Sequence, residues 1–262
     1  MATNPRALVV QNHHSDDPRL LGEWLVEAGL DLDVVRPYDG EALPEDLTGY
    51  AAFVVLGGAQ SVVDGAPREP WFDRLESLFR KAVRDAVPTL AVCLGAQLLA
   101  LANGGTVQVS EAGPELGPGL VAKRDAAEKD PLFGLTPMLP DVVQWHFDEV
   151  TELPLGAVLL ATTGDHPVQA FRVGERAWGV QFHPEADAEM VAAWARADAL
   201  ALAELGLTPE NVAAAAQALT DDLFEVWQPF ATRFAALARG ELPASAQTPE
   251  PKPGRQLPLL GH

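Results

Sequence analysis

The chain has 262 residues, 48% of them apolar and 21% charged, so it is long and apolar enough to bury one large core or two smaller ones. Its 37 acidic against 18 basic residues give a formal net charge of -19, which argues against the broad basic face that nucleic acid or an anionic membrane surface requires. A single cysteine excludes an internal disulfide, the start MATNPRALVV lacks the layout of a secretory leader, and no apolar run reaches the roughly 20 residues that span a bilayer, so a soluble cytoplasmic protein is expected.

In chain order, the first apolar run is 6–11 (RALVVQ), followed by His13 and His14 and then a helix pattern over 17–29 with Leu20, Leu21, Trp24, Leu25 and Ala28. Strand-like runs follow at 31–35 (DLDVV) and 51–56 (AAFVVL), a second helix pattern at 69–86, and a fourth run at 88–93 (PTLAVC). These runs are continuous rather than alternating, which suits strands covered on both faces of a mainly parallel sheet. Strand and helix in repetition give the doubly wound α/β pattern.

Two places in this half invite chemistry. LGGAQS, residues 56–61, follows the third strand at the carboxyl edge where open α/β sheets bind ligands, and its glycines leave a backbone N–H, that of Gly58, free to meet a developing negative charge. It is no phosphate loop, because the GxxxxGK[ST] pattern is absent. AVCLGAQLLA, residues 91–100, sets the only cysteine, Cys93, between a strand and a helix, with small residues Ala91 and Gly95 on either side. A sharp turn there places the thiol at the positive end of the helix, with the N–H of Leu94 as a second oxyanion donor, whereas a cysteine buried in a core strand is the plainer reading of the stretch alone.

From 105 to 182 the texture changes to short β-like runs, TVQV, GLVAKR, DVVQWH, AVLLATT, PVQAFRV and RAWGVQF, expected to extend the parallel sheet with antiparallel edge strands. The last leads into GVQFHPEA, residues 179–186, where Pro184 holds His183 extended and Glu185 follows two places on. A thiol nucleophile needs a base, and the base needs a partner that fixes its tautomer; Cys93, His183 and Glu185 supply the three roles. His13 and His14 read as loop histidines without a metal-ligand pattern, His146 and Asp148 as pocket-shaping residues, and Glu115 as a loop residue near the site.

Helical patterning returns at 186–205 and again after Thr208-Pro209-Glu210, a cap, a first-turn proline and an acid at a helix N-terminus. That segment carries an apolar stripe at 212, 216, 219, 223, 226, 230, 234 and 237 and is expected to kink or break near Pro229. The stripe packs on its own domain or, in the sharper reading, forms a homodimer interface. One domain over 1–240, with 206–240 as a helical extension, and a disordered Pro-rich tail over 241–262 complete the expected organisation.

GGAQS, AVCLGAQLLA, WHFDEV and GVQFHPEA, in this order and at these separations, resemble the class I, triad-type glutamine amidotransferase domain over roughly residues 6–200, and most closely the stand-alone proteins similar to the glutaminase part of GMP synthase. The resemblance implies a flavodoxin-like three-layer α/β sandwich with Cys93 as nucleophile, His183 as base and Glu185 as its orienter. It implies Gly58 and Leu94 as oxyanion donors, Gln97 as a glutamine contact, and Trp145 with His146 as a wall of the pocket, with no metal and no cofactor. Ala59, Ala91 and Phe147 depart from the family's usual residues, and Phe147 stands where glycine is common in the wall segment. The expected activity is hydrolysis of the glutamine side-chain amide, the ammonia passing to an acceptor on a separate synthetase protein. A γ-glutamyl hydrolase on the same triad and a non-catalytic binding protein are the other readings.

Overall fold

The structure is a computed structural model that describes residues 4–242. Along the chain run β1 (Arg6–Val10), α1 (Arg19–Glu27), β2 (Asp31–Val35), β3 (Ala52–Val55), α2 (Phe72–Arg84), β4 (Thr89–Val92), α3 (Leu94–Ala102), β5 (Thr106–Val109), β6 (Glu115–Leu120), β7 (Ala122–Lys123), β8 (Asp141–His146) and β9 (Asp148–Glu152). There follow β10 (Val158–Thr162), β11 (Ala170–Val173), β12 (Ala177–Val180), α4 (Ala188–Ala197), α5 (Ala199–Glu204), α6 (Pro209–Ala218) and α7 (Thr220–Ala238).

The main sheet has the order β2-β1-β3-β4-β12-β11-β10-β7. Its first five strands are parallel to their neighbours, in the flavodoxin-like order, and β11, β10 and β7 add antiparallel pairs. Successive residues of the central strands feed two different cores. Ala7, Val9, Ala52, Val54, Leu90 and Val92 pack with Trp24 and Leu25 of α1 on one face. Leu8, Val10, Phe53, Val55 and Ala91 pack with Phe72, Leu75 and Phe79 of α2 and Leu98 of α3 on the other. The continuous apolar runs are therefore the sum of two interleaved apolar faces.

Three expectations need correction. The strand β2 is not covered on both faces: it is the sheet edge, with Leu32, Val34 and Val35 half-buried and Asp31 exposed. The middle of the chain does not all join the sheet edge. β5 pairs with β9 and β6 with β8 as two separate antiparallel ribbons, which pack over the functional end. Nor does Pro229 break the last helix. α7 continues through it, because Trp227, Phe230, Ala231 and Phe234 are buried on one side and outweigh the single hydrogen bond that proline removes. The interruption lies at Leu219, whose amide is shared by the carbonyls of Ala215 and Ala216, so the segment forms α6 and α7.

The apolar stripe of these helices packs on its own chain, Trp227 against Phe182 and Phe230, and its indole donates to the Asp141 carbonyl at 2.9 Å. Thr208 caps α6 as expected, accepting from the Asn211 amide at 3.3 Å. No helix among the described residues is long and apolar enough to cross a membrane. The tail expected over 241–262 lies outside the described residues from 243 onward.

Candidate active site

The loops after β1, β3, β4 and β12 meet at the carboxyl edge of the parallel sheet, and Cys93 stands at their centre. Its backbone has φ +49° and ψ -109°, a positive-φ conformation that strains any residue with a Cβ. The sheet holds the residue there: its amide donates to the Val180 carbonyl of β12 at 2.8 Å, while its own carbonyl accepts from the Gln97 amide at 3.0 Å as the first turn of α3. Gly95 permits the tight entry, because a Cβ at that position would run into the Val55 backbone carbonyl. The thiol thus sits at the N-terminus of a helix buried at every residue but Leu101, whose first amides, including that of Leu94, have no helical carbonyl to bond.

The loop after β12 brings in the second element. The His183 amide donates to the Val143 carbonyl at 2.8 Å, and its Nδ1 lies 2.7 Å from Glu185 Oε1, with both side chains buried. A carboxylate only accepts, so Nδ1 carries a proton and Nε2 is left for the cysteine side. Nε2 has no hydrogen-bond partner among the described residues; the cysteine Sγ instead points to the Trp145 carbonyl at 3.7 Å. Burial opposes the charged imidazole, but Glu185 and then Cys93 outweigh it and raise His183 well above its ordinary value. Trp194 of α4 lies against the ring at 4.8 Å between centroids, and Leu20 at the start of α1 donates its amide to the Glu185 carbonyl.

Over this pair opens a cavity of about 390 Å³. Cys93, Leu94, Gly58, Gln97, Trp145, His146 and His183 all line it, and Glu185 supports it from behind His183. A Cβ on Gly57 would come within 2.9 Å of His183 Cε1 and 3.0 Å of Asp16 Oδ1, so this glycine is what lets the loop after β3 lie on the pair. The amides of Gly58 and Leu94 have no carbonyl partner among the described residues. Gln97 places its amide nitrogen 3.0 Å from the Asp148 carbonyl and 3.3 Å from Gln181 Oε1. Trp145 is fixed by its indole donating to Asp198 at 2.8 Å.

The ribbons form the far wall. His146 Nε2 meets Glu115 Oε2 at 2.9 Å, and its Nδ1 faces the Asp148 carbonyl at 3.1 Å. Glu115, expected in a loop, starts β6, and Gln169 and His166 also close on its carboxylate. Burial would raise the Glu115 pKa, but the hydrogen bond and charge of His146, then His166 and Gln169, hold it lower than usual. Asp148 accepts from the Ser61 hydroxyl at 2.5 Å, and the departure Phe147 stands at the cavity mouth, 44% exposed. His13 also lines the cavity, bonded to Ser15 at 2.8 Å, whereas His14 stacks beside it.

Sequence reasoning missed Gln181, Asp16, Gln60, Trp194 and Asp198. Gln181 had a signal, since it stands two places before His183 in extended chain and so shares its side. Gln60 lies inside the quoted GGAQS stretch, whereas Asp16, Trp194 and Asp198 reach the site from a loop, from α4 and from the turn after it, where no local pattern marks them.

The chain is similar to known proteins. A model of the family described as glutamine amidotransferase class-I matches residues 18–191. A glutamine-hydrolysing GMP synthase from Porphyromonas gingivalis is 34% identical over 181 residues, 68% of this chain and 33% of that protein, and the chain spans a quarter to a third of the length of the GMP synthases it matches. Gamma-glutamyl peptidase 5 from Arabidopsis thaliana is 32% identical over 169 residues, 63% of this chain and 66% of that one. The crystal structure of a glutamine amidotransferase from Thermotoga maritima superposes with a TM-score of 0.78 at 25% identity, covering 89% of this chain and 99% of the other.

Proposed function

The chain belongs to the class-I glutamine amidotransferase family, and from that premise we propose that it hydrolyses the side-chain amide of glutamine and passes the ammonia to an acceptor on a separate protein. The observation that carries the reading is the strained Cys93 turn, held in one cavity with the buried His183–Glu185 pair.

In this reaction the Cys93 thiolate attacks the carboxamide carbon, forming a C–S bond, while the carbonyl oxygen takes the negative charge under the Gly58 and Leu94 amides. His183, held by Glu185, gives its Nε2 proton to the departing nitrogen; the C–N bond breaks, and ammonia leaves a γ-glutamyl thioester. Water then loses a proton to His183 and attacks the same carbon, releasing glutamate and restoring the thiolate. Gln97, Trp145 and His146 bind the glutamine on the α3 and ribbon sides.

Residues 1–240 act as one such domain, with 206–240 as its helical extension. The acceptor site is assigned to a partner synthetase, in keeping with the glutamine-hydrolysing GMP synthases among the relatives. Replacing Cys93 with alanine is expected to abolish release of glutamate and ammonia while the far-ultraviolet circular dichroism stays unchanged; retained turnover overturns the proposal.

One observation favours a second substrate class. Phe147 at the mouth faces whatever extends beyond the scissile amide, and gamma-glutamyl peptidases are among the relatives. A kcat/KM for γ-glutamyl dipeptides far above that for glutamine would make this a γ-glutamyl hydrolase with the same chemistry.

A further inference from the structure

We propose that Gln181 is a positioning residue for the cysteine, its side-chain amide held as a fixed N–H donor to the sulfur so that the thiolate is favoured. The inference rests on the reading of Cys93 as the nucleophile.

The direction of this amide is set by a chain of bonds that starts at a backbone carbonyl. The Asp148 carbonyl can only accept, so the group of Gln97 that lies 3.0 Å from it is the nitrogen. The second N–H of that nitrogen reaches Gln181 at 3.3 Å and must find an oxygen there. The nitrogen of Gln181 is then left for Cys93 Sγ, 3.5 Å away. Reversing either amide would bring oxygen against oxygen or nitrogen against nitrogen. His146 Nδ1 shares the same Asp148 carbonyl at 3.1 Å, and Glu115 holds the other side of that ring, so the anchor is itself fixed.

Gln97 and Gln181 are each at most 3% exposed, and water does not compete for the donor. A thiol can turn its own hydrogen to the Trp145 carbonyl at 3.7 Å, but a thiolate has only acceptor capacity and needs donors around it. Gln181, the residue after β12, supplies one. Ionisable groups near the sulfur come from every surrounding element: His183 and Glu185 after β12, His13 and Asp16 after β1, His146 at the end of β8, Asp148 at the start of β9, and Asp198 after α4. None of them changes when Gln181 is replaced.

The test is the rate of Cys93 alkylation by iodoacetamide against pH, in the full chain and in Gln181→Met and Gln181→Glu. Methionine keeps the length and removes the donor; glutamate keeps the shape and substitutes an acceptor. The midpoint of the profile is expected to rise by about one pH unit in Gln181→Met, and further in Gln181→Glu, the scale of one hydrogen bond to a charged group. With glutamine as substrate, kcat should fall roughly tenfold with KM changed less than about twofold, because Gln181 touches the sulfur and not the substrate. A folded Gln181→Met whose midpoint coincides with that of the unaltered chain overturns the inference.

Should both variants fail to fold, the unaltered protein still decides. Its Gln181 side-chain amide protons, followed by nuclear magnetic resonance, are expected to move with the thiol titration, and resonances that stay fixed overturn the inference. Failure of the underlying reading looks different: Cys93→Ala would then keep its turnover whatever the alkylation profiles show.

Discussion

Glu185 Oε1 stands 2.7 Å from His183 Nδ1, with both side chains buried, and the ring's other nitrogen has no hydrogen-bond partner among the described residues. The carboxylate decides both which nitrogen carries the proton and how firmly the ring keeps its charge. Burial acts against that charge; Glu185 is the first of the groups that reverse the balance, and Cys93 the second.

Removing the charge while keeping the shape, Glu185→Gln, is expected to lower kcat for glutamine by about 10²- to 10⁴-fold. It should also change the pH dependence of stability. A histidine raised above its unfolded value of about 6.5 stabilises the fold fully below that pH, and the contribution fades as pH climbs through the higher folded value. The gap in melting temperature between the unaltered chain and Glu185→Gln should therefore be wide near pH 6 and narrow toward pH 9. A gap that widens with pH contradicts the assignment.

Gly95 is there because the Val55 carbonyl leaves no space for a Cβ. Backbone cannot yield as a flexible side chain does, so Gly95→Ala should cost about 1–3 kcal/mol of stability in urea denaturation. Turnover should fall more than stability does, since the shift is felt at the neighbouring strained turn of Cys93. A variant with full activity and stability would show that the turn does not depend on this contact.

Glu115 and His146 join the two strands of the β6–β8 ribbon at the cavity wall. Glu115→Gln removes the charge that His146 and His166 close upon and should destabilise the protein by about 1–3 kcal/mol at pH 7. Because the carboxyl is held lower than usual, its contribution is present above the unfolded value of about 4.3 and disappears as pH falls through the folded value. The difference between the two proteins should thus shrink below about pH 4 in denaturant titrations, and an undiminished difference there would contradict the ion pair as its source.

The parts of the fold legible in the sequence were those with a local cause. The β1, β3 and β4 runs are continuous because they serve two cores, and the elbow at Cys93 announces itself through the small residues around it. The sheet edge was misjudged because DLDVV at β2 looks apolar in isolation, and only its place in the strand order leaves one side open. The strand β9 went unread because DEVTE is mostly charged and polar and pairs with β5 from 148–152 against 106–109, a register no local pattern fixes. At the site, His183 and Glu185 stand two residues apart and could be paired on sight. Glu115 and His146 meet from 31 residues apart, and Gln181 reaches Cys93 from 88, so both depend on topology.

The central claim is a glutamine pocket built on a nucleophilic Cys93. It is tested most directly by intact-mass measurement of the protein after exposure to a diazo-ketone analogue of glutamine, with Cys93→Ala and excess glutamine as controls. The account predicts one adduct per chain, lost in Cys93→Ala and suppressed by glutamine. An unlabelled protein whose thiol still reacts with a small alkylating agent, or an adduct that persists in Cys93→Ala, would contradict it.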